Sequence, residues 1–355
     1  MKTIAGNARP LLIGSLPVED HDEALELVLR YTPEIPSWAQ LPRHGIEKMI
    51  PQFMPGMPGG VLTEDRAYVD TAAADFEEAL LAFYQEYVDV AEGGADADAS
   101  RFRLTPETAP GFFTLSDWLA RTETPPKLVK GQVTGPITFC TGLKDQDGRA
   151  ILFDDQLKDA AVKLLALKAA WQVRKLAAEG RDVIVFIDEP ALAGFGSSEL
   201  ISVSREDVRA CLDEVVEAIH GEGGLAGIHV CANTDWSLIL ESALDVVNFD
   251  AYAYFDRFIL YDQALRSYLD SGRILAWGLV PTLNAEDIAR EDADSLKAQW
   301  DRQVQGLAGL GISEETVVAR SLITPSCGMG ALSRDQALKV LETTRALADK
   351  IAGGP

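Results

Sequence analysis

The chain has 355 residues, of which 47% are hydrophobic and 25% charged, a composition typical of a globular protein with an apolar core. Lysine and arginine number 32 against 55 aspartates and glutamates, so the formal net charge is −23. A surface this acidic repels nucleic acid and anionic membranes, and both are excluded as expected partners.

The sequence also predicts the cellular compartment. The N-terminus lacks the apolar segment of a signal peptide, and no apolar run approaches the about 20 residues that a membrane-spanning helix needs. Four cysteines without close pairing do not indicate a disulfide framework. We therefore expect a cytoplasmic protein with reduced thiols.

Short apolar segments recur along the chain, and amphipathic stretches lie between several of them. The segments are 10–17, 35–42, 126–136, 181–190, 224–233, 243–252, 273–282 and 319–328. Helical patterns occupy 154–180 and 204–224, and a last helix begins near Ser333. Alternating strands and helices indicate an α/β fold with a parallel sheet, and eight such units predict a (β/α)8 TIM barrel. A doubly wound open sheet is the alternative.

The domain prediction follows from the spacing of these segments. Residues 1–355 are expected to form a single barrel domain. Residues 43–125, between the second and third strands, are too long for a plain crossover and are predicted to be a helical and loop insertion.

Polar residues stand where the predicted strands end. They are Ser15, Gln40, Thr134, Asp188, Glu189, His229, Cys231, Asp250 and Cys327. In a barrel the carboxyl ends of the strands share one mouth, where the chemistry takes place. The pair Asp188 and Glu189 directly follows "VIVFI", which directs at least one carboxylate into that mouth.

A metal site is one interpretation of these residues. His229 and Cys231 point to the same face of an extended strand, and Cys327 lies in the tight turn "TPSCGMG". Thiolate sulfur and histidine nitrogen are preferred zinc ligands, and three of them leave an open position. Asp250 is a candidate fourth ligand that a substrate displaces. Alternatively, His229 and Cys231 are ordinary buried groups of a strand.

Several motifs resemble a known family when taken together. "IGSLP", "KGQVTGPIT", "IDEPAL", "HVC" and "TPSCG" are similar, in order and over nearly the whole chain, to motifs in the C-terminal catalytic barrel of cobalamin-independent methionine synthase. The resemblance implies a zinc-dependent methyltransferase that converts homocysteine to methionine. The implied zinc ligands are His229, Cys231, Cys327 and, with aspartate in place of glutamate, Asp250. The implied homocysteine-binding groups are Ser15, the Ile13 carbonyl and Asp188, with Gln40 and Glu189 as further candidates.

The sequence departs from the family pattern in three places. The first barrel strand starts near residue 10, so the N-terminal half that helps to bind the folate donor is expected to be absent. The family's HGE motif is replaced by "WAQLPRHG", so a carboxylate that helps to hold the substrate amine is expected to be missing. Val280 stands where the family has its catalytic histidine.

These departures bear on the methyl donor. The chain resembles the short "core" methionine synthases, which implies methylcobalamin or a corrinoid protein as the donor, because cob(I)alamin leaves without a proton. A folate donor with another proton source and a different thiol acceptor are the enzymatic alternatives. A barrel that has lost its chemistry and serves as a binding module is an alternative of another class.

Overall fold

The structure, a computed structural model, describes residues 4–63, 66–195 and 203–353. The strands in these residues are β1 Arg9–Pro10, β2 Gly60–Leu62, β3 Ala67–Val69, β4 Leu128–Thr134, β5 Lys144–Asp145, β6 Asp182–Asp188, β7 Leu225–Val230, β8 Val246–Phe249, β9 Ile274–Val280 and β10 Ser321–Pro325. The helices are α1 His21–Tyr31, α2 Met49–Phe53, α3 Phe76–Ala91, α4 Pro110–Leu119, α5 Pro136–Gly142, α6 Asp155–Leu176, α7 Arg205–Gly221, α8 Trp236–Leu240, α9 Ala251–Phe258, α10 Asp262–Asp270, α11 Ala285–Arg290, α12 Ala293–Ala308, α13 Glu314–Ala319 and α14 Arg334–Ile351.

Within the described residues, seven strands form one sheet in the order β1-β10-β9-β8-β7-β6-β4, and all its ladders are parallel. Segment 35–42 contributes isolated bridges, Ser15 with Gln40 and Ser37 with Lys130. These bridges join it to the segments that carry both edge strands, so the sheet is curved. The predicted α/β fold with a parallel sheet is confirmed. The closed ladder of eight strands is not present in the described part of the chain.

Proline and glycine explain why the ladder is interrupted here. Pro36 and Pro42 have no N–H to donate, and proline is therefore rare inside a hydrogen-bonded sheet. In the neighbouring segment, Gly14 has a φ of 146°, a conformation that side chains rarely adopt. A Cβ at this position would lie 2.9 Å from Oε1 of Gln40. Regular pairing between the two segments is therefore limited to single bridges.

Residues 43–125 differ from the predicted helical and loop insertion; residues 64 and 65 lie outside the described residues. Besides α2, α3 and α4, this segment contains β2 and β3, which pair antiparallel, and β3 also pairs with β5 farther along the chain. Its buried rings, Phe53, Phe83, Phe102 and Phe112, belong to the same hydrophobic cluster as the helices around the main sheet. The segment is therefore an integral part of the fold.

The helices begin where the sequence offers side-chain caps. Asp154 accepts hydrogen bonds from the first N–H groups of α6, and Ser204 and Ser333 form capping boxes at the starts of α7 and α14. Such caps satisfy N–H groups that have no partner inside the helix. No helix in the described ranges is both long enough and apolar enough to pass through a membrane.

The inner face of the curved sheet has an apolar floor and a polar upper part. The floor consists of Leu11, Ile35, Leu128, Ile184, Phe186, Leu225, Val246, Ile274, Ala276 and Leu322, all nearly or completely buried. Because every second residue of a strand points to the same face, the residues above the floor also point inward. They include Lys130, Gln132, Asp188, His229 and Asn248. The carboxyl ends of the strands therefore carry the polar side chains.

Candidate metal and substrate site

The predicted metal ligands lie together at the carboxyl ends of two strands. His229 is on β7, Cys231 directly follows it, and Cys327 follows β10. One possible ligand atom from each of the three residues lies within 4.8 Å of the other two. Among the described residues, these three side chains form the group that could hold a metal ion. Two strands of the parallel sheet, β8 and β9, lie between β7 and β10, so the curvature of the sheet brings these residues together.

The orientation of His229 is fixed by a neighbour that the sequence analysis did not single out. Asn248 on β8 accepts a hydrogen bond from Nδ1 of His229. Its amide nitrogen donates to the Ala276 carbonyl at 2.8 Å and to Oγ1 of Thr324 at 2.7 Å, so the amide oxygen must face the imidazole. Nδ1 therefore carries the proton, and Nε2 is left with a free lone pair. In the sequence, the sign of this role is an amide side chain, Asn248, inside the otherwise apolar strand "VVNF".

The two cysteines lie close together and shift each other's pKa in opposite directions. The hydrogen bond from the Cys327 thiol, followed by the neighbouring imidazole of His229, lowers the pKa of Cys231 to about 4 despite burial. The same contact and burial raise the pKa of Cys327. For His229, burial disfavours the charged imidazole, but the Cys231 sulfur and the Asp188 carboxylate outweigh it and raise the pKa.

These residues fit a zinc ion by their chemistry. Nε2 of His229 is buried and has no hydrogen-bond partner among the described residues, which leaves one acceptor on a side chain that adjoins the two cysteines. A buried nitrogen without a partner is costly unless something binds it. One imidazole and two thiolates are preferred ligands of zinc and leave a fourth position open.

A cavity of about 340 Å³ adjoins the three ligands. This size lies at the lower end of the range for small-molecule sites, about 300–1,000 Å³. Its wall includes the predicted substrate residues Ile13, Ser15, Gln40 and Asp188 together with His229, Cys231 and Cys327. The structure thus brings most of the sequence-predicted site residues into one small cavity.

Asp188 presents an unpaired carboxylate oxygen at this cavity. It ends β6 and is paired in register with His229 of β7. Its Oδ1 is buried and has no hydrogen-bond partner in the described structure. Burial raises the pKa of Asp188 to about 6, although the Lys130 ammonium, and His229 when it is protonated, act in the opposite direction. An unpaired buried carboxylate is suited to a cationic ligand.

The opposite wall comes from the segments with few backbone pairs. Oγ of Ser15 accepts a hydrogen bond from the Gly330 N–H at 3.2 Å, and the side-chain amide of Gln40 donates to Gln52 at 2.6 Å. The Ile13 carbonyl accepts a hydrogen bond of 2.6 Å from Lys130. Ile13 and Gln40 therefore line the cavity while Lys130 and Gln52 hold them from outside it, and Ser15 is held by Gly330, which also lines the cavity.

Glu189, predicted with Asp188 as a substrate group, does not line this cavity. Its carboxylate accepts hydrogen bonds from the N–H groups of Ile137 and Thr138 at 2.8 and 2.9 Å, and from Oγ1 of Thr138 at 2.6 Å. Burial raises the pKa of Glu189 to about 7, although these hydrogen bonds favour the charged form. The carboxylate is thus committed to the start of α5, where N–H groups have no helical partner.

Replacing Glu189 by glutamine is expected to affect stability and not substrate binding. The glutamine amide would point its NH₂ group at N–H groups of Ile137 and Thr138, which now donate hydrogen bonds to the carboxylate. We expect this loss to lower the free energy of unfolding by about 1–3 kcal/mol. Denaturant unfolding and steady-state kinetics of E189Q, both on zinc-loaded protein, measure the two effects. A raised substrate KM with unchanged stability would instead place Glu189 in substrate binding.

Asp250, the predicted fourth ligand, lies outside the group of three ligands found in the described residues. Its Oδ1 accepts a hydrogen bond of 2.9 Å from the Ala253 N–H and caps α9. Burial raises the pKa of Asp250 to about 6, and the nearby sulfur of Cys231 adds to this effect. Asp250 is thus close to the metal ligands but employed as a helix cap, so its role as a ligand stays a prediction.

Glu47 is a buried carboxylate at the cavity that the sequence analysis did not single out. Its side chain is almost completely buried and lines the cavity. One oxygen accepts a hydrogen bond from the Leu41 N–H at 3.0 Å, and the other pairs with Nε2 of His21 at 2.9 Å. Both oxygens of Glu47 are thus engaged by groups of the protein, and the expectation drawn from "WAQLPRHG" stays a prediction.

Comparisons with known proteins give distant likenesses among solved structures. No protein-family model matches the sequence, and no curated protein matches it. A similar solved structure is that of a B12-independent methionine synthase from Shewanella sp. W3-18-1 in complex with selenomethionine, with 18% sequence identity and a TM-score of 0.46. The match covers 68% of this chain and 66% of that chain, which is less than two thirds of the other protein. A likeness at this level carries no functional argument.

Proposed function

We propose that this protein is a zinc-dependent methyltransferase that methylates the thiol of homocysteine and forms methionine. The observation that carries the proposal is a single cavity that joins a His-Cys-Cys group to an unpaired buried carboxylate. The first suits a metal that binds a thiol, and the second suits the ammonium of an amino acid. Their adjacency across the β6–β7 ladder fits a small acceptor that carries both groups.

The residues of the chain have distinct roles in this reaction. His229, Cys231 and Cys327 would hold the zinc, and Asp250 is the candidate for a displaceable fourth ligand. Zinc bound there keeps the acceptor sulfur deprotonated and nucleophilic at neutral pH. Asp188 holds the substrate ammonium, and Ser15 with nearby N–H groups holds its carboxylate. Fixing both ends of the acceptor aligns the sulfur for in-line displacement at the methyl group.

The proposed donor is methylcobalamin or a methylated corrinoid protein. Val280 is 2% exposed, and its aliphatic side chain cannot donate a proton. Its carbonyl accepts a hydrogen bond from the Ser326 N–H. His44 donates a hydrogen bond from Nε2 to the Glu19 carbonyl and does not line the cavity, so it offers no proton there. A corrinoid leaving group needs no proton, whereas a folate nitrogen does.

We expect methionine to form with methylcobalamin and little or none with methyl-tetrahydrofolate. General acid catalysis is worth about 10²–10⁴-fold, and its absence slows the folate reaction by a factor of this order. The test incubates zinc-loaded protein with L-homocysteine and either donor and quantifies methionine by mass spectrometry. A folate-dependent rate equal to the corrinoid rate would contradict the choice of donor.

Two controls separate the alternatives. A simple thiol without an amino-acid end, such as 2-mercaptoethanol, should be a poor acceptor if Asp188 and Ser15 act as proposed. Efficient methylation of that thiol would indicate a different acceptor. If neither donor methylates any thiol and the protein binds no zinc, the enzymatic proposal fails and the alternative of a binding module stands.

A further inference from the structure

The half of the cavity that would receive the amino-acid end of the acceptor lies where the sheet has few backbone hydrogen bonds. Ile13, Ser15 and Gln40 belong to segments 10–17 and 35–42. Around these positions the pairing consists of the bridges Ser15 with Gln40 and Ser37 with Lys130. Isolated bridges fix a strand less firmly than a continuous ladder does. Other contacts must therefore hold this wall in place.

Lys130 makes the first of these contacts. Its ammonium is 0% exposed and donates hydrogen bonds to the Ile13 carbonyl at 2.6 Å and to Oε1 of Gln132 at 3.0 Å. The same ammonium lies 4.7 Å from the centroid of the Phe186 ring, which is favourable for a cation. A lysine side chain on β4 thus holds segment 10–17 by a backbone atom that lines the cavity.

Gln132 carries the connection to segment 35–42. Its amide nitrogen donates to the Trp38 carbonyl at 2.9 Å. Gln172 of α6 donates to the Gln132 carbonyl at 2.9 Å and accepts a hydrogen bond of 2.9 Å from the Trp38 indole. We call Lys130, Gln132, Gln172 and Trp38 the Lys130 network. All four side chains are 0% exposed, and together they join both weakly paired segments to β4 and α6.

The charge of Lys130 also acts on the cavity. Lysine is almost never fully buried without a partner, because desolvating an ammonium is costly. Burial lowers the pKa of Lys130 to about 8, and the Asp188 carboxylate acts against this effect. Lys130 itself is not part of the cavity wall. Its positive charge therefore acts on the Asp188 carboxylate from behind the cavity wall.

We propose that Lys130 is a positioning residue, which holds the acceptor half of the cavity in place through the Ile13 carbonyl and Gln132 and contributes nothing to metal binding. The reference to an acceptor rests on the proposed function. The mechanical part does not, since it depends only on the hydrogen bonds of the Lys130 network.

The test compares K130M with K168M. Methionine keeps the length of lysine but removes the charge and the donors. Lys168 on α6 is a matched control, since it is also buried and donates a hydrogen bond to a backbone carbonyl, that of Arg103, at 2.9 Å. Burial lowers its pKa as well, to about 7. Lys168 does not line the cavity.

For K130M we expect the KM for homocysteine to rise about tenfold or more, because the charged hydrogen bond to the Ile13 carbonyl is lost. We expect kcat to change by less than about threefold. Zinc content should stay at the wild-type level. K168M should leave KM unchanged. If K130M does not fold, Q132M is the second variant. It removes the link between Lys130 and Trp38 but keeps the buried charge of Lys130, and its KM for homocysteine should rise as well. An unchanged KM in the folded variant, or loss of zinc from it, would overturn the proposal.

Hydrogen–deuterium exchange tests the mechanical part without any substrate. Peptides from 10–17 and 35–42 should exchange faster in K130M than in K168M, whereas peptides from β7 and β10 should not differ. Equal exchange in the two variants would overturn the positioning role whatever the activity is. If the wild-type protein methylates no thiol but the exchange difference is observed, the proposed function fails and the positioning role stands.

Discussion

The substitution C327S is expected to remove most of the zinc from the protein. Cys327 supplies one of the two sulfurs in the group of three ligands, and a hydroxyl does not replace a thiolate as a zinc ligand. Even groups that only support a ligand are worth about 10–100-fold in metal affinity, so the loss for a direct ligand should exceed about a hundredfold. We therefore expect about one zinc per chain in the wild-type protein and little in C327S.

The matched control for this prediction is C211S. Cys211 is buried on α7, outside the group of three ligands, and burial raises its pKa to about 11, so its thiol stays neutral. The variant should retain zinc at the wild-type level. Metal content is measured on dialysed protein by mass spectrometry, with affinity from competition against a chelator. Equal zinc content in C327S and C211S would remove Cys327 from the metal site.

Asparagine at position 188 is expected to weaken binding of the acceptor without loss of metal. The substitution keeps the shape of the side chain but removes the charge that faces the substrate ammonium. A charge-assisted hydrogen bond is worth about 1.5–3 kcal/mol, which corresponds to a rise in the homocysteine KM of roughly ten- to a hundredfold. Steady-state kinetics of zinc-loaded D188N and its zinc content provide the measurement.

The pH dependence of KM gives a second test of Asp188. Because burial raises its pKa to about 6, the carboxylate is charged above this pH and gains a proton below it. The wild-type KM should therefore rise as the pH falls through about 6, and D188N should lose this inflection. Asp250, whose pKa is also raised to about 6, is present in both proteins, so the difference between the two pH profiles isolates the contribution of Asp188. An identical inflection in D188N, or loss of its zinc, would argue against a substrate role for Asp188.

The clustering of the candidate metal ligands could be predicted from the sequence because it depends on simple geometry. Alternation along a strand places His229 and Cys231 on one face, and the carboxyl ends of parallel strands lie at one edge of a sheet. Cys327 is distant in sequence but occupies the same kind of position after its strand. Ser15 and Asp188 follow the same rule, and the structure places both at the cavity.

Other features depended on tertiary contacts that strand patterns do not reveal. Alternation allows only one of Asp188 and Glu189 to face the mouth, and the position of α5 decides where the other goes. Asp250 stands before "AYAYF", so a helix cap and a metal ligand look alike in the sequence. Lys130 and Asn248 are polar residues inside buried strands, where only the three-dimensional structure shows their partners.

The interrupted ladder shows how local chemistry changes a predicted topology. Segment 35–42 was predicted to be a strand from its apolar pattern, and its position beside β4 and the first segment agrees with that prediction. Pro36 and Pro42 remove donors that a regular strand needs. Side-chain amides from Gln132 and Gln172 make hydrogen bonds in the same region.

The apolar floor of the sheet imposes an order on the events at the cavity. Leu128, Ile184 and Leu225 belong to a buried layer that blocks passage through the interior from below, as far as the described residues extend. Molecules must therefore arrive and depart through the mouth. For the proposed function, this means that a small acceptor seated beside His229 would have to enter before a bulky donor covers the opening, and its methylated product would leave only after that donor. The closed floor would then impose a compulsory sequence, with the smaller molecule first in and last out.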